Sequence, residues 1–271
     1  CKKISSKNID AKYNENFKGL LIERLSLKKT FEDYLETKSS AFVLIGNSGT
    51  GKTSFLVKFE DENRKLRTHD LCILFLDAAT INPDLALTDH LYNDFKWFQP
   101  FTGEKINIFS VIHETYLKNF SDKESCERKV VLCIDGINNN RDPRKLKIHI
   151  DKLAQLPLDW LKIVITSTPD QWDFLASEQY EDSRNYYHPE TDTISGFQPV
   201  EIGRFTDEEL NLAYPKYQKV YQYSTELDSL SQQMQNVIQY PLALELIARM
   251  SNKGSILPDT TFHAVIPKFV K

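Results

Sequence analysis

Short runs of consecutive apolar residues recur along the chain, at 41–45, 71–76, 130–134 and 161–165. Nearly all residues within each run are apolar, and several are β-branched or aromatic. A strand with this pattern is buried on both faces, which is typical of a parallel sheet covered by helices. The pattern therefore predicts four parallel strands at the centre of the molecule.

Stretches in which apolar residues have helical spacing separate these runs. The spacing predicts a helix over 17–35, before the first strand, and another over 53–67, shortly after it. Further helices are predicted over 85–98, 108–120 and 144–156. Strands that alternate with helices in this way indicate a three-layer α/β sandwich, with helices on both faces of the sheet.

The pattern changes in the last third of the chain. Residues 179–195 are polar and rich in Tyr, Asp and Glu, so we expect a surface loop there, and 199–202 is expected to return as a last strand. From Thr206 onward the spacing is helical, and Thr206 with Glu209 has the spacing of a capping box at a helix start. The sequence therefore predicts a small helical domain after the sheet.

Two more helices are predicted within that helical domain. One has an apolar face that runs over 227–238, and the other follows Pro241. The predicted boundaries are a leader helix region over 1–40, a core over 41–204, a helical lid over 205–250, and a linker or the start of a further domain over 251–271. The chain does not begin with Met, and we expect it to be a piece of a longer protein.

Composition and charge exclude several classes of protein. The chain is 41% apolar, which is enough to form a buried core and excludes disorder, and its net charge of -4 gives no electrostatic footprint for nucleic acid. The apolar runs are too short to span a membrane. The four cysteines have no metal-ligand spacing, which favours a reducing compartment. We therefore expect a cytoplasmic protein without a membrane or nucleic-acid partner.

Residues 46–53 match the motif G-x-x-x-x-G-K-[ST] and lie between a predicted strand and a predicted helix. Glycines allow the backbone to wrap a phosphate closely, and the following helix directs its positive end at it. This phosphate loop predicts binding of a nucleoside triphosphate with Mg²⁺; the alternative is a glycine-rich turn that only joins strand to helix. The predicted nucleotide-binding residues here are Gly46, Asn47, Ser48, Gly49, Thr50, Gly51, Lys52, Thr53 and Ser54.

Four residues have separate predicted roles in this chemistry. The Lys52 ammonium reaches the β- and γ-phosphates and is catalytic, the Thr53 hydroxyl ligates Mg²⁺, and Ser54 reaches the α-phosphate. Asp135 closes the run 130–134 and is the second predicted Mg²⁺ ligand, with a catalytic role. The alternative for Asp135 is a strand-end carboxylate that caps a turn.

Hydrolysis also needs a group that polarises the attacking water. Residues 138–140 are all Asn, and none is a general base; Asn139 is the predicted catalytic position because an amide can still orient water. Thr166 and Ser167 end the next strand and are predicted to contact the γ-phosphate if that strand lies beside the loop strand. The alternative is that these hydroxyls satisfy backbone groups.

Together these motifs resemble the STAND class of P-loop NTPases, and its NACHT branch in particular. The resemblance implies a strand order 5-1-4-3-2, ATP or ADP as the ligand, and self-oligomerisation when ATP replaces ADP. It also implies that Pro241 packs on the adenine, that Arg24 lies in the family's leader, and that effector and sensor domains lie outside these residues. The segments that carry it are 46–54, 135–138, 165–169, 200–209 and 240–244.

The chain departs from the family pattern at two positions. Thr168 stands where the family usually has a sensor arginine, and Asn139 where an acidic residue often follows. The leading hypothesis is a slow ATPase switch, in immune or antiviral defence by family analogy. Two alternatives remain, a non-hydrolytic nucleotide-binding scaffold and an AAA+-like DNA-associated ATPase.

Overall fold

A computed structural model describes residues 19–66, 71–89, 114, 129–177, 186–188 and 199–251. They form two compact units that interleave along the chain. The first unit includes Glu32–Ile45 and the described residues of Asn63–Val200. The second unit includes Gly46–Glu62 and the described residues of Asp10–Phe31 and Glu201–Lys271. The contiguous division predicted from the sequence stays a prediction.

The first unit is built on a sheet of parallel strands. The order of its strands is β2-β3-β4-β1-β5, and a further strand, β6, also pairs with β1. All of the pairs along the path are parallel, so the predicted order 5-1-4-3-2 is confirmed. The strands are β1 (Ala41–Ile45), β2 (Leu71–Asp77), β3 (Lys129–Asp135), β4 (Leu161–Ser167), β5 (Tyr187–His188) and β6 (Val200–Glu201).

Helices flank this sheet, which confirms the α/β architecture. Helices α1 (Leu25–Glu36) and α2 (Lys52–Leu66) each begin in the second unit and end in the first, whereas α3 (Pro143–Ala154) and α4 (Pro169–Ser177) lie within the first unit. The strands β1 and β4 are buried along their whole length, as their continuous apolar runs predict. The predicted helices over 85–98 and 108–120 lie largely outside the described residues, as does the segment 252–271.

One expectation for the first part of the chain is wrong in detail. The predicted helix over 17–35 is interrupted at 21–24, and α1 begins only at Leu25. Leu20, Leu21 and Ile22 are all buried, and three consecutive residues of a continuous helix point in different directions around its axis.

The region expected to be only a surface loop, 179–195, contains strand β5. Its residue Tyr187 is completely buried, and its hydroxyl donates a hydrogen bond to Asp151. The ring of Tyr187 lies 6.0 Å from that of Trp172. The strand is therefore held by tertiary contacts that the polar sequence around it conceals.

Helices α5 (Asp207–Tyr221), α6 (Gln232–Ile238) and α7 (Pro241–Ser251) lie wholly within the second unit. The capping box is confirmed, since Thr206 and Glu209 exchange side-chain and backbone hydrogen bonds. A continuous helix face over 227–238 is wrong, because Ser231 caps the start of α6 and a separate 3₁₀ turn precedes it. The leader residues Leu20 and Ile22 join the apolar core of this unit.

None of the helices in the described part of the chain is both long and apolar enough to cross a membrane.

Candidate nucleotide-binding site

The phosphate loop begins directly after β1 and has a backbone that only glycine adopts easily. The φ angle is +81° at Gly49 and +98° at Gly51, in the left-handed region that L side chains avoid. At Gly46 a Cβ would lie 2.5 Å from the carbonyl oxygen of Ile202 and 2.7 Å from Thr50 Oγ1. Each glycine of the motif is therefore required, either by its backbone angle or by a close neighbour.

A turn within the loop is closed by Thr50. Its amide and its hydroxyl both donate to the carbonyl of Asn47, at 3.3 and 2.9 Å. Thr50 itself is almost completely buried. The turn gives the loop a fixed shape before any ligand binds.

Lys52 is the first residue of α2, and its side chain returns over the loop. Its ammonium donates to the carbonyls of Gly46 at 2.5 Å and of Asn47 at 3.1 Å. A phosphate oxygen accepts a stronger, charge-assisted hydrogen bond from the same ammonium. The placement of Lys52, at the positive N-terminal end of a 15-residue helix, therefore suits an anion held by the loop.

The start of α7 lies against the phosphate loop within the second unit. The amide of Leu242 donates to the carbonyl of Gly49 at 3.2 Å, and a Cβ at Gly49 would lie 2.7 Å from Leu242 Cβ. Pro241 Cγ lies 3.7 Å from the position that a Cβ on Gly51 would take. Pro241 is thus placed beside the loop, and its contact with adenine stays a prediction.

A second set of predicted residues meets at the carboxyl edge of the sheet. Thr166 Oγ1 lies 2.8 Å from Asp135 Oδ1, and the amide of Gly136 donates to Thr166 Oγ1 at 2.7 Å. Because the amide supplies one hydrogen, the hydroxyl hydrogen is directed at the carboxylate. Thr166 therefore holds Asp135 in place, and its contact with nucleotide stays a prediction.

Ser167 has a different environment from Thr166. The residue is completely buried, and its Oγ has no hydrogen-bond partner among the described residues. A buried hydroxyl without a partner is costly, and a functional role is one reason why such a group is kept. Of the two hydroxyls predicted to contact a phosphate, Ser167 is thus the one with hydrogen-bonding capacity left.

The three asparagines after Asp135 differ in what they do. The amide group of Asn140 is buried and donates to the carbonyls of Ala78 and Ile81, at 2.6 and 2.9 Å. Asn139 is exposed, and its Oδ1 accepts a hydrogen bond of 2.9 Å from Asn138. Asn140 is therefore structural, whereas Asn139 has the accessibility that orienting a water requires.

The residues predicted to bind Mg²⁺ offer the ligands that it prefers, a hydroxyl and a carboxylate oxygen. Thr53 belongs to the second unit and Asp135 to the first. Thr166 engages Asp135 Oδ1, and a carboxylate has further lone pairs for a cation. These donors fit Mg²⁺, and binding of the ion by both residues stays a prediction. Among the described residues, no group of three or more His, Cys, Asp and Glu side chains is arranged to hold a metal ion.

Sequence reasoning gave too little weight to Arg24. Its guanidinium is buried and bonds to Glu209 and to the carbonyls of Thr50, Gly203 and Arg204. Its position two residues after the apolar run 20–22 was the available signal, and arginine is rarely buried unless it is paired.

Comparison of the sequence with protein-family models and with curated proteins gives no match. Solved structures do match. The crystal structure of Cdc6p from Pyrobaculum aerophilum has a TM-score of 0.51 and 14% identity, over 88% of this chain and 58% of that one. The S. cerevisiae Hsp104:casein complex has a TM-score of 0.51 and 16% identity, over 92% of this chain and 42% of that one.

A third match, Aeropyrum pernix ORC1 in complex with DNA, has a TM-score of 0.45 and 14% identity, over 83% of this chain and 58% of that one. The expectation that nucleic acid is not a partner gains no support from this set. The chain spans about half the length of the first two structures. Both are P-loop NTPases of the AAA+ type, and the chain has the α/β fold of the P-loop NTPases.

Proposed function

We propose that the chain binds ATP or ADP with Mg²⁺ and is the nucleotide-dependent switch module of a STAND-type signalling protein. The observation that carries the proposal is the phosphate loop. Two glycines in left-handed backbone conformation and an ammonium at a helix N-terminus form a cradle for a polyphosphate.

Each predicted residue has a definite task in this proposal. Lys52 exchanges the carbonyls of its own loop for the β- and γ-phosphate oxygens, and the loop amides bind the remaining charge. Thr53 and Asp135 would hold Mg²⁺, which neutralises charge on the phosphates. Ser167 is completely buried, so its side chain would have to turn outward to donate the hydroxyl hydrogen bond to the γ-phosphate.

Slow turnover follows from the group that replaces the usual base. Asn139 orients water but takes up no proton, since an amide is not a general base. Thr168, in place of an arginine, adds no positive charge to the transition state. Bound ATP therefore stays unhydrolysed for a long time, which suits a switch better than a motor.

The contact between the loop and α7 supports the switching part of the proposal. The amide of Leu242 donates to the carbonyl of Gly49. A change in the conformation of the loop when phosphate binds therefore also alters the surroundings of the first turn of α7. By analogy with the family, ATP in place of ADP then leads to self-oligomerisation. A sensor domain outside these residues would receive the signal, and an effector domain outside them would transmit it. A cytoplasmic location and a role in immune or antiviral defence belong to the same analogy.

Two other functions use the same fold. In a non-hydrolytic scaffold, nucleotide would only hold the phosphate loop and the helical lid together, which Asn139 and Thr168 favour. In an AAA+-like DNA-associated ATPase, the chain would act on nucleic acid; the match to a DNA complex is too weak to argue for it, and the net charge of -4 argues against it.

Single-turnover phosphate release from γ-labelled ATP distinguishes these functions. A slow ATPase switch releases one phosphate per bound nucleotide, and Asp135→Asn abolishes the release. Tight nucleotide binding without any release, in the monomer and in the assembled protein, would exclude the switch with hydrolysis and leave the scaffold. Release that increases severalfold on addition of DNA would favour the DNA-associated ATPase.

A further inference from the structure

We infer that Arg24 is a positioning residue of the phosphate loop, which ties the loop to the start of the helical lid and so slows release of nucleotide. The inference rests on the proposed function for its nucleotide part only. Arg24 itself touches the loop from outside, through a backbone carbonyl, and not through the amides that face a phosphate.

The guanidinium of Arg24 joins three distant segments of the second unit. Its Nη1 donates to the carbonyl of Thr50 at 3.4 Å, and its Nη2 donates to the carbonyls of Gly203 and Arg204 at 3.0 and 3.1 Å. Its Nε donates to Glu209 Oε1 at 2.9 Å. One side chain of the leader therefore contacts the loop, the segment before α5 and the first turn of α5.

Arg24 reaches the loop by a second route as well. Ile202 packs on Gly46, where a Cβ would lie 2.5 Å from the carbonyl oxygen of Ile202, and residues 203 and 204 follow it directly in the chain. The hydrogen bonds from Arg24 to residues 203 and 204 hold this segment in place. Loss of the guanidinium thus loosens the phosphate loop at two positions, Gly46 and Thr50.

The fork geometry of arginine is needed here, and a positive charge alone is not enough. Five N–H donors in a plane serve three carbonyls and a carboxylate that lie in different directions, whereas a lysine ammonium is a point charge with three donors. The guanidinium also lies over the Phe205 ring, 5.2 Å from its centroid. Burial lowers the pKa of Arg24 and Glu209 opposes the effect, and arginine stays charged at neutral pH.

The carboxylate of Glu209 serves two contacts at once. Its Oε2 accepts the amide of Thr206 in the capping box of α5, and its Oε1 accepts Arg24. The first turn of α5, where the helical lid begins, is therefore bonded to Arg24, which contacts the phosphate loop. A change at the loop reaches α5 by this path, besides the contact of Gly49 with α7.

Lys216 offers a matched control for this inference. Its ammonium donates to the carbonyl of Leu21 at 3.0 Å, so it also ties the leader to α5. It has no hydrogen bond to the phosphate loop among those of the described residues. Lys216→Met thus removes a leader contact of the same kind without touching the loop.

The first measurement is hydrogen exchange of the amides of residues 46–54 in the nucleotide-free protein. We expect Arg24→Lys to speed their exchange about tenfold, the size of effect that a lost charge-assisted hydrogen bond produces, and Lys216→Met to leave it unchanged. Equal exchange in Arg24→Lys and wild type, or equal acceleration in both variants, would overturn the inference.

The second measurement is the dissociation rate of a fluorescent ADP. Arg24→Lys should release it about tenfold faster than wild type and Lys216→Met at the wild-type rate, because only the first variant removes a contact with the phosphate loop. If the wild type itself binds no nucleotide, the proposed function fails, while the exchange measurement still tests Arg24.

If Arg24→Lys does not fold, Glu209→Gln gives the same information. The single side-chain oxygen of glutamine can keep the capping box, and its amide nitrogen then offers Arg24 neither the charge nor the acceptor that Glu209 Oε1 provides. Faster exchange in residues 46–54 of this variant supports the inference, and unchanged exchange contradicts it.

Discussion

The hydroxyl of Thr166 is shared between Asp135 and the amide that follows it. Thr166 Oγ1 donates to Asp135 Oδ1 at 2.8 Å and accepts from Gly136 N at 2.7 Å. Because the side chain is completely buried, water does not compete for either bond. The carboxylate proposed to bind Mg²⁺ is thereby fixed in one orientation, a task of the second coordination shell in metal sites.

Thr166→Val removes this hydroxyl while keeping the shape of the side chain. We expect a loss of about 1–3 kcal/mol in the free energy of unfolding, because a half-buried carboxylate oxygen and a buried amide lose their partner. Nucleotide affinity should also respond less to added Mg²⁺, while affinity in EDTA stays the same. Thr166→Ser restores the hydroxyl and both properties. An unchanged Mg²⁺ response in the valine variant would show that Thr166 does not act through Asp135.

Gly49→Ala tests the contact between the phosphate loop and α7. The new methyl group would meet Leu242 Cβ at 2.7 Å, in a residue whose φ angle is +81°. Strain and overpacking together should cost about 2 kcal/mol or more of unfolding free energy, and nucleotide binding should weaken. Gly203→Ala is the control, since nothing lies within 4 Å of its Cβ position. Equal stability of the two variants, measured by denaturant titration, would contradict this account of the loop.

Asn139→Glu is predicted to increase the rate of hydrolysis. A carboxylate at this exposed position takes up a proton from the attacking water, and general bases contribute about 10²–10⁴-fold when well placed. We expect at least about a tenfold faster release of phosphate, because the new side chain is not positioned by its surroundings. In the control, Asn140→Asp, the buried hydrogen bonds to Ala78 and Ile81 are lost, so stability falls and turnover does not rise. No acceleration in Asn139→Glu would remove Asn139 from the catalytic position.

Lys162 gives the first unit a pH dependence that can be measured. It is almost completely buried, and its ammonium donates to the carbonyls of Thr37 and Ser39 at 2.6 and 2.7 Å. Burial, with a smaller effect from the nearby Lys129, lowers the pKa of Lys162 to about 8. The unfolded chain keeps that proton to a higher pH than the folded protein does, so the stability contributed by Lys162 rises as the pH increases above 8.

Lys162→Met removes this titration. The unfolding free energy of wild type relative to the methionine variant should increase by about 1–2 kcal/mol from about pH 7.5 to about pH 9.5. Urea titrations of both proteins at each pH measure it. A difference that is flat, or that falls over this interval, would mean that the folded protein does not lower the pKa of Lys162.

The features that the sequence predicts well are those set by local chemistry. The described strands β1, β2, β3 and β4 end within two residues of their predicted bounds, because a continuous apolar run has no other place than a covered parallel sheet. The phosphate loop is likewise local, since its glycines and Lys52 act within eight residues of one another.

The features that the sequence concealed depend on partners far along the chain. Tyr187 forms β5 because Asp151 and Trp172 bury it, although the residues around it are polar. Arg24 acquires its importance only through Thr50 and Glu209. No local pattern separates Asn139 from Asn140, which differ only in what the fold places beside them.

Calorimetric titration of the purified protein with ATP or ADP in the presence of Mg²⁺ tests the central claim most directly. Wild type should bind one nucleotide per chain. Lys52→Ala should bind it at least about 100-fold more weakly, because the variant lacks the ammonium that donates to the phosphate oxygens in the nucleotide complex. Lys58→Ala is the control, as Lys58 lies in the same helix and pairs with Glu62. No binding to wild type at millimolar nucleotide, or equal affinity in wild type and Lys52→Ala, would contradict the account.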